Sequence, residues 1–345
     1  MKMKHKLLNI FVLMIILTTS LFGQSEGTDV SKRGTTAATF LSIGQGTRAT
    51  GMGSAFVALA DDPSALYWNP AGITKVNGVG FMVDHTMWLA DINYNFLALT
   101  YNLGSFGTIG LSFTNSSVGD MKVTTIDQPD GTGETFTAND VAFGLTWAIQ
   151  LTEDFSIGFT PKFIYQSIWK TSSNSIAIDL GVQYVTPFDG MVLGMSISNF
   201  GTKMKLEGNS ALVLYDPDPN STGNNGNIPA YLQTDEWDLP LNFRVGVAYE
   251  PIKIDQHKVS VALDALHLSD NYESVNIGGE YTFNDLFSIR GGYKSMFLQD
   301  SEESFSIGAG IKQYLLGNVA IQFDYAYQDF GRLNNIQKFS LSINF

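Results

Sequence analysis

Four groups of residues in this 345-residue chain have types and spacings that chemistry could use. Gly44-Gln45-Gly46-Thr47-Arg48-Ala49 meets the Gly-x-Gly-x-x-Ala pattern of a dinucleotide-binding turn, where glycines let a pyrophosphate approach a helix N-terminus. That pattern works only inside a strand-helix-strand unit, and none follows, so no nucleotide cofactor is expected. Asp216-Pro217-Asp218-Pro219-Asn220 opens like a calcium loop, but Ser221 stands where the sharp turn needs Gly and Asn227 where the bidentate Glu belongs. A solvated turn is the better reading, with loosely held calcium as the alternative. His5, His85, His257 and His267 lack metal-ligand spacing, and there is no nucleophile elbow or recognisable Ser/His/Asp set. The chain has no cysteine, which excludes thiol nucleophiles, thiolate zinc sites, iron–sulfur clusters and disulfide frameworks. No catalytic, metal-ligating or cofactor-binding residue is therefore expected, and the chain reads as a non-enzyme. The fourth group is Lys162, Asp179, Arg244, Asp264, Glu280, Arg290, Lys312, Asp324 and Lys338, charges set between alternating apolar residues. Their mixed signs suit an internal ion-pair network, with solute contact as the alternative.

The elements that position those charges are strands. Val319, Ile321, Phe323, Tyr325 and Tyr327 alternate with Ala320, Gln322, Asp324, Ala326 and Gln328, and Phe339, Leu341, Ile343 and Phe345 alternate with Lys338, Ser340, Ser342 and Asn344. The same period of two recurs along the chain, each time with one apolar and one polar or small face. It predicts about fourteen strands, near 78–87, 92–103, 106–118, 139–151, 154–169, 175–186, 190–201, 240–250, 257–267, 273–283, 286–296, 303–314, 318–328 and 336–345. A soluble sandwich and a membrane barrel both use such strands. Three features favour the barrel. The strands reach the ~10 residues a tilted membrane strand needs. Trp169, Tyr184, Tyr249, Tyr293 and Tyr327 gather near strand ends as interfacial girdles do. Tight turns follow the second, fourth, sixth, tenth and twelfth strands, while long connections follow the third and seventh, at 119–138 and 202–239. Outer-membrane barrels keep short turns on the periplasmic side.

Composition agrees. Charged residues make up 15% of the chain, below the ~25% usual in soluble proteins, against 12% aromatics and 34 glycines. The formal charge of −13 argues against a nucleic-acid partner, which needs clustered Lys and Arg. Lys2, Lys4 and Lys6, the apolar stretch Leu7 to Leu17 and the small residues before Gly23 read as an export signal over residues 1–23, with a retained anchor as the alternative. The expected location is the outer membrane.

Residues 24–76 differ from the strands that follow and are expected to fold into the lumen of a barrel formed by 77–345. Asp61 or Asp62 could cap a short helix with Pro63 at its first position and Trp68 at its end, stopped by Asn69-Pro70. The run Arg48-Ala49-Thr50-Gly51-Met52-Gly53-Ser54-Ala55-Phe56, continuing through Asp61 and Asp62 to Ala65-Leu66-Tyr67-Trp68-Asn69-Pro70-Ala71-Gly72-Ile73, resembles the hatch signature of the PorV/PorQ family. That family sits within the FadL-like outer-membrane proteins, so the resemblance implies an all-β, fourteen-stranded transmembrane antiparallel barrel with an N-terminal hatch. Gly51, Gly53, Asp61, Asp62, Trp68, Asn69, Pro70, Ala71 and Gly72 would be the hatch motif. It further implies an accessory of type IX secretion, binding cargo or secretion partners through outer loops. The alternative it carries is a FadL-like transporter of long-chain fatty acids or other hydrophobic solutes, in which Met52, Phe56 and Trp68 would touch the solute. The terminal Phe345 resembles the signal read by the outer-membrane assembly machinery. Gly104, Gly107 and Gly110 could bend the third strand open, with ordinary turn glycines as the simpler reading.

Overall fold

A computed structural model describes residues 32–220, 223, 225–298, 301–315 and 319–345. The expected export signal lies outside these residues.

Fourteen strands form one closed antiparallel barrel. They are β1 (Val79–Met87), β2 (Asn93–Asn102), β3 (Thr108–Ser117), β4 (Ala138–Thr152), β5 (Phe155–Ile168), β6 (Thr171–Val185), β7 (Met191–Gly201), β8 (Asn242–Ile254), β9 (His257–Leu268), β10 (Ser274–Phe283), β11 (Phe287–Met296), β12 (Phe305–Tyr314), β13 (Ala320–Asp329) and β14 (Asn335–Asn344). Each pairs with its sequence neighbours, and β1 pairs with β14 from Gly80↔Asn344 to Met87↔Gln337, so the main wall has no free edge. Phe345 finishes this seam: Val79 N–H donates to its carbonyl at 2.7 Å and its own N–H donates to Val79 O at 3.0 Å.

Alternation makes the wall two-sided. Leu97, Leu99 and Tyr101 of β2 face outward while Tyr94, Phe96, Ala98 and Thr100 face inward and are buried. Facing outward next to them are Ile109, Leu111 and Phe113 of β3, then Phe143, Leu145 and Trp147 of β4. Most inward positions are small or polar, which leaves a lumen wide enough for the chain that precedes β1. One rim carries only short connections, at 103–107, 153–154, 186–190, 255–256, 284–286 and 315–319. The opposite rim carries the long ones, 118–137 and 202–241, and by the rule for outer-membrane barrels it is the outer rim.

Observed strands depart little from those expected. The sixth begins at Thr171 instead of 175 and the eighth runs on to Ile254 past a register shift between Tyr249 and Ile252. Two-residue pairs at Met121–Lys122 and Thr135–Phe136 and a four-residue hairpin, Leu212–Tyr215 with Ile228–Tyr231, lie within the two long outer loops. Gly104 and Gly107 take left-handed φ in the turn around Gly104–Phe106, whereas Gly110 lies against Leu66 inside the barrel.

Candidate functional site

The chain before β1 enters at the outer rim, where Thr36 donates to Asp270 at 2.9 Å and Ala37 N–H donates to Asp238 O at 2.9 Å. It then descends the lumen through short turns at Thr39–Ser42, Thr47–Gly51, Ala65–Trp68 and Pro70–Lys75. None is long enough to hold itself together in water, so packing against the wall must do it. Small residues make that packing possible. Gly53, at φ 63°, presses its backbone on the backbones of Ile277 and Tyr293, and a side chain there would meet Tyr293 N at 2.6 Å. Gly51 lies against Gly308, and the wall glycines Gly278 and Gly292 receive Met52 and Gly53. The Gly-Met-Gly run is thus matched by glycines of the wall.

Asn69-Pro70-Ala71 has an equivalent seat against Gly158 and Gly181. The Asn69 amide donates to Val57 O and Val182 O, both at 2.9 Å, and its carbonyl oxygen accepts Ala71 N–H at 3.2 Å. One buried side chain therefore ties two turns of the inner segment to β6 and caps the turn that Pro70 begins. Gly72 packs against Ala60. The expected helix starts later than Pro63: it spans Ala65–Trp68, and the Asp62 carboxylate works upstream, accepting from Ser64 N–H at 2.9 Å and Ser64 Oγ at 2.5 Å. Such a side chain–backbone turn competes with a helical first turn, which accounts for the delayed start.

Met52, Phe56 and Trp68 are buried together with Leu66, Ile73 and Phe96. Phe56 and Trp68 meet edge to face at 6.3 Å, and Trp68 Nε1–H donates to Gln45 O at 2.6 Å. The Arg244 guanidinium lies 4.9 Å from the Trp68 ring centre and 5.2 Å from that of Tyr67. Packing leaves little room: a cavity beside Leu41, Leu66, Tyr94, Lys162 and Asp179 holds ≈ 20 Å³, about one water.

Several charged residues of the wall join the inner segment to it. Arg48 pairs with Asp61 at 2.5 Å, Asp62 at 3.3 Å and Glu280 at 2.8 Å; Glu280 pairs with Arg290 at 2.5 Å, and Arg290 with Asp324 at 2.5 Å. Burial raises the Asp62 carboxyl above its ordinary range, opposed by Arg48. Asp264 accepts the Phe56 and Val57 N–H groups at 2.7 and 2.9 Å, and Lys338 donates to Gly44 O. Lys162 pairs with Asp179 at 2.7 Å, closing the bulge where Asn199 adopts φ 65°. Lys312 stands apart, half-buried beside the Tyr314 ring. Backbone contacts of this kind were not readable from the sequence. Asp264 and Gln183, which donates to Ala58 O and Ala60 O, gave no signal beyond being polar on an inner face.

The outer rim is different. A vestibule of ≈ 370 Å³ opens above the inner segment, lined by Thr39, Phe40, Ile43, Trp88, Asp140 and Glu303. In the 202–241 loop, Leu212, Leu214, Tyr215, Ile228, Tyr231 and Leu232 are all exposed, Leu214 by 67% and Tyr231 by 63%. Asp216 and Asp218 at its tip accept the N–H groups of Asp218 and Asn220 at 3.0 and 3.3 Å, an ordinary polar turn.

Residues 27–212, more than half of the chain, match the family described as Type IX secretion system protein PorV. No curated protein matches the sequence. Among solved structures, the toluene transporter TbuX of Ralstonia pickettii is similar at TM-score 0.54 with 15% identity, covering 87% of this chain and 97% of its own. A FadL homologue of Pseudomonas aeruginosa gives 0.53 with 11% identity over 87% and 98%, and the CymD monoaromatic hydrocarbon channel 0.51 with 15% over 88% and 98%. At these identities the structures speak for the fold alone. The chain belongs to the PorV family and is an outer-membrane β-barrel of FadL-like architecture.

Proposed function

We propose that the protein is a type IX secretion accessory that works by binding, with the 202–241 loop as the surface that docks a secretion component or secreted cargo. The observation that carries this is the exposed apolar hairpin of Leu212–Tyr215 and Ile228–Tyr231, held above a lumen filled by the inner segment. Contiguous exposed apolar surface of this kind marks interaction sites. Membership of the PorV family supports the secretion setting. On this reading the inner segment, from Gly51 and Gly53 through Asp61, Asp62 and Trp68 to Asn69-Pro70-Ala71-Gly72, is a fixed hatch, and Phe345 at the seam is the residue that the assembly machinery reads. Deleting 212–231 is expected to abolish recovery of secretion components or cargo in a pull-down while the barrel still assembles. Undiminished recovery, or normal secretion in cells carrying that deletion, would sink the proposal.

The transporter reading asks more of the molecule. A hydrophobic solute would need the space that Met52, Phe56 and Trp68 occupy, so the hatch would have to break its ion pairs and leave its glycine seats. Solute uptake that disappears on Phe56→Trp with secretion intact would favour it.

A further inference from the structure

The outward face of the barrel has a polar gap. Along the ladder rows that run through one stretch of the wall, the outward positions on β4, β5, β12 and β13 are Val141, Tyr165, Ile307 and Tyr327. On the four consecutive strands between them, across the seam, the same rows carry Gln337 of β14, His85 of β1, Asn95 of β2 and Asn115 of β3. These four form one patch: His85 is register partner of Asn95, Asn95 of Asn115, and Gln337 of Met87. His85 shares its face with Val83, Asn95 with Leu97 and Asn115 with Phe113, so all point where the lipid lies.

Seven residues of a strand tilted by about 40° rise about 18 Å, within the ~25 Å apolar band of an outer-membrane barrel. The patch is therefore below the height at which polar residues normally begin. His85 Nδ1 and Asn95 Oδ1 satisfy each other at 2.7 Å, and Asn115 Nδ2 donates to Asp140 O at 3.4 Å. That leaves Asn95 Nδ2 and Asn115 Oδ1 without a protein partner among the described residues. In hydrocarbon they would have none at all. The loops above β1, β2 and β14, 88–92 and 330–334, are short, and of these four strands only β3 runs on into a long loop, 118–137. A short apolar wall with a low rim matches a thinner bilayer.

We propose that along β14, β1, β2 and β3 the polar headgroups of the outer leaflet reach down to this tier, thinning the membrane locally and hydrogen-bonding Asn95 and Asn115. The rest of the perimeter sits in hydrocarbon of ordinary thickness. The proposal is independent of what the outer loop binds.

The absence of cysteine makes the test clean. Single variants N95C, N115C, V141C and I307C of the otherwise intact chain are spin-labelled and reconstituted in dioleoylphosphatidylcholine vesicles. Their collision rates with oxygen, which concentrates in hydrocarbon, and with a water-soluble nickel chelate report depth. Labels at 95 and 115 are expected to shift to the headgroup range while those at 141 and 307 stay in hydrocarbon. Equal hydrocarbon depth for all four would overturn the proposal. So would shielding of 95 and 115 from both relaxants in isolated outer membranes, which would assign the face to a membrane-embedded protein instead. Should either asparagine variant fail to assemble, S117C, one step higher on β3, must read as headgroup on the proposal and hydrocarbon against it.

Discussion

Phe56, Tyr67 and Trp68 in the lumen and Tyr215, Tyr231 and Trp237 in the long outer loop are the same kinds of side chain in opposite settings. The first three sit among rings, carbonyls and the Arg244 guanidinium; the second three expose 56%, 63% and 48% of their surface. What separates them is the surface opposite. The inner segment meets wall glycines and buried carboxylates placed to receive it, whereas the strands of the hairpin pair with each other in the outer loop. Aromatic residues that hold the molecule together are thus distinguished from those free to hold something else by the seats provided for them.

That contrast can be broken in several ways. Glu280→Gln should have the largest effect, because Arg48 and Arg290 lose the carboxylate they share; a cost of about 3–5 kcal/mol in urea unfolding is expected. Phe56→Ala should come close, at about 3–4 kcal/mol, and a smaller loss would mean that the lumen relaxes around the hole. Asn69→Ala removes the cap of the following turn and two carbonyl contacts, with about 1–2 kcal/mol expected. Leu214→Ser with Tyr231→Ser should change stability by no more than about 0.5 kcal/mol per site yet weaken partner capture, the reverse of the inner variants. The smallest effect concerns pH. Asp62 has a raised carboxyl pKa in the folded chain, so its contribution to stability is most favourable in acid and declines as pH rises from the ordinary carboxyl range through the folded value. Asp62→Asn should flatten that part of the stability profile; an unchanged slope would show that another group carries it.

Most of the wall was legible in the sequence because lipid on one side and a small-residue lumen on the other impose a period of two. Strand ends were read to within a few residues for that reason. In the inner segment the small residues that let backbones approach, Gly51 and Gly53 among them, stand out in the sequence. The segment's partners do not: the pairing of Arg48 with Glu280, or of Asp264 with two backbone N–H groups, depends on how the segment is rotated and translated in the lumen, and no periodicity encodes that. The outer hairpin was missed because four-residue strands in a polar loop are too short to show alternation.

The seam has a consequence for assembly. Gly80 of β1 pairs with Asn344 of β14, so the closing contacts join the two most distant strands of the barrel. The inner segment is synthesised before every strand but can be enclosed only when the last one arrives. Until then its apolar side chains and the half-formed edge must both be kept from other chains, and contacts of such long range form slowly. Closure of the wall and burial of the segment are therefore a single late event, and losing β14 would unmake both.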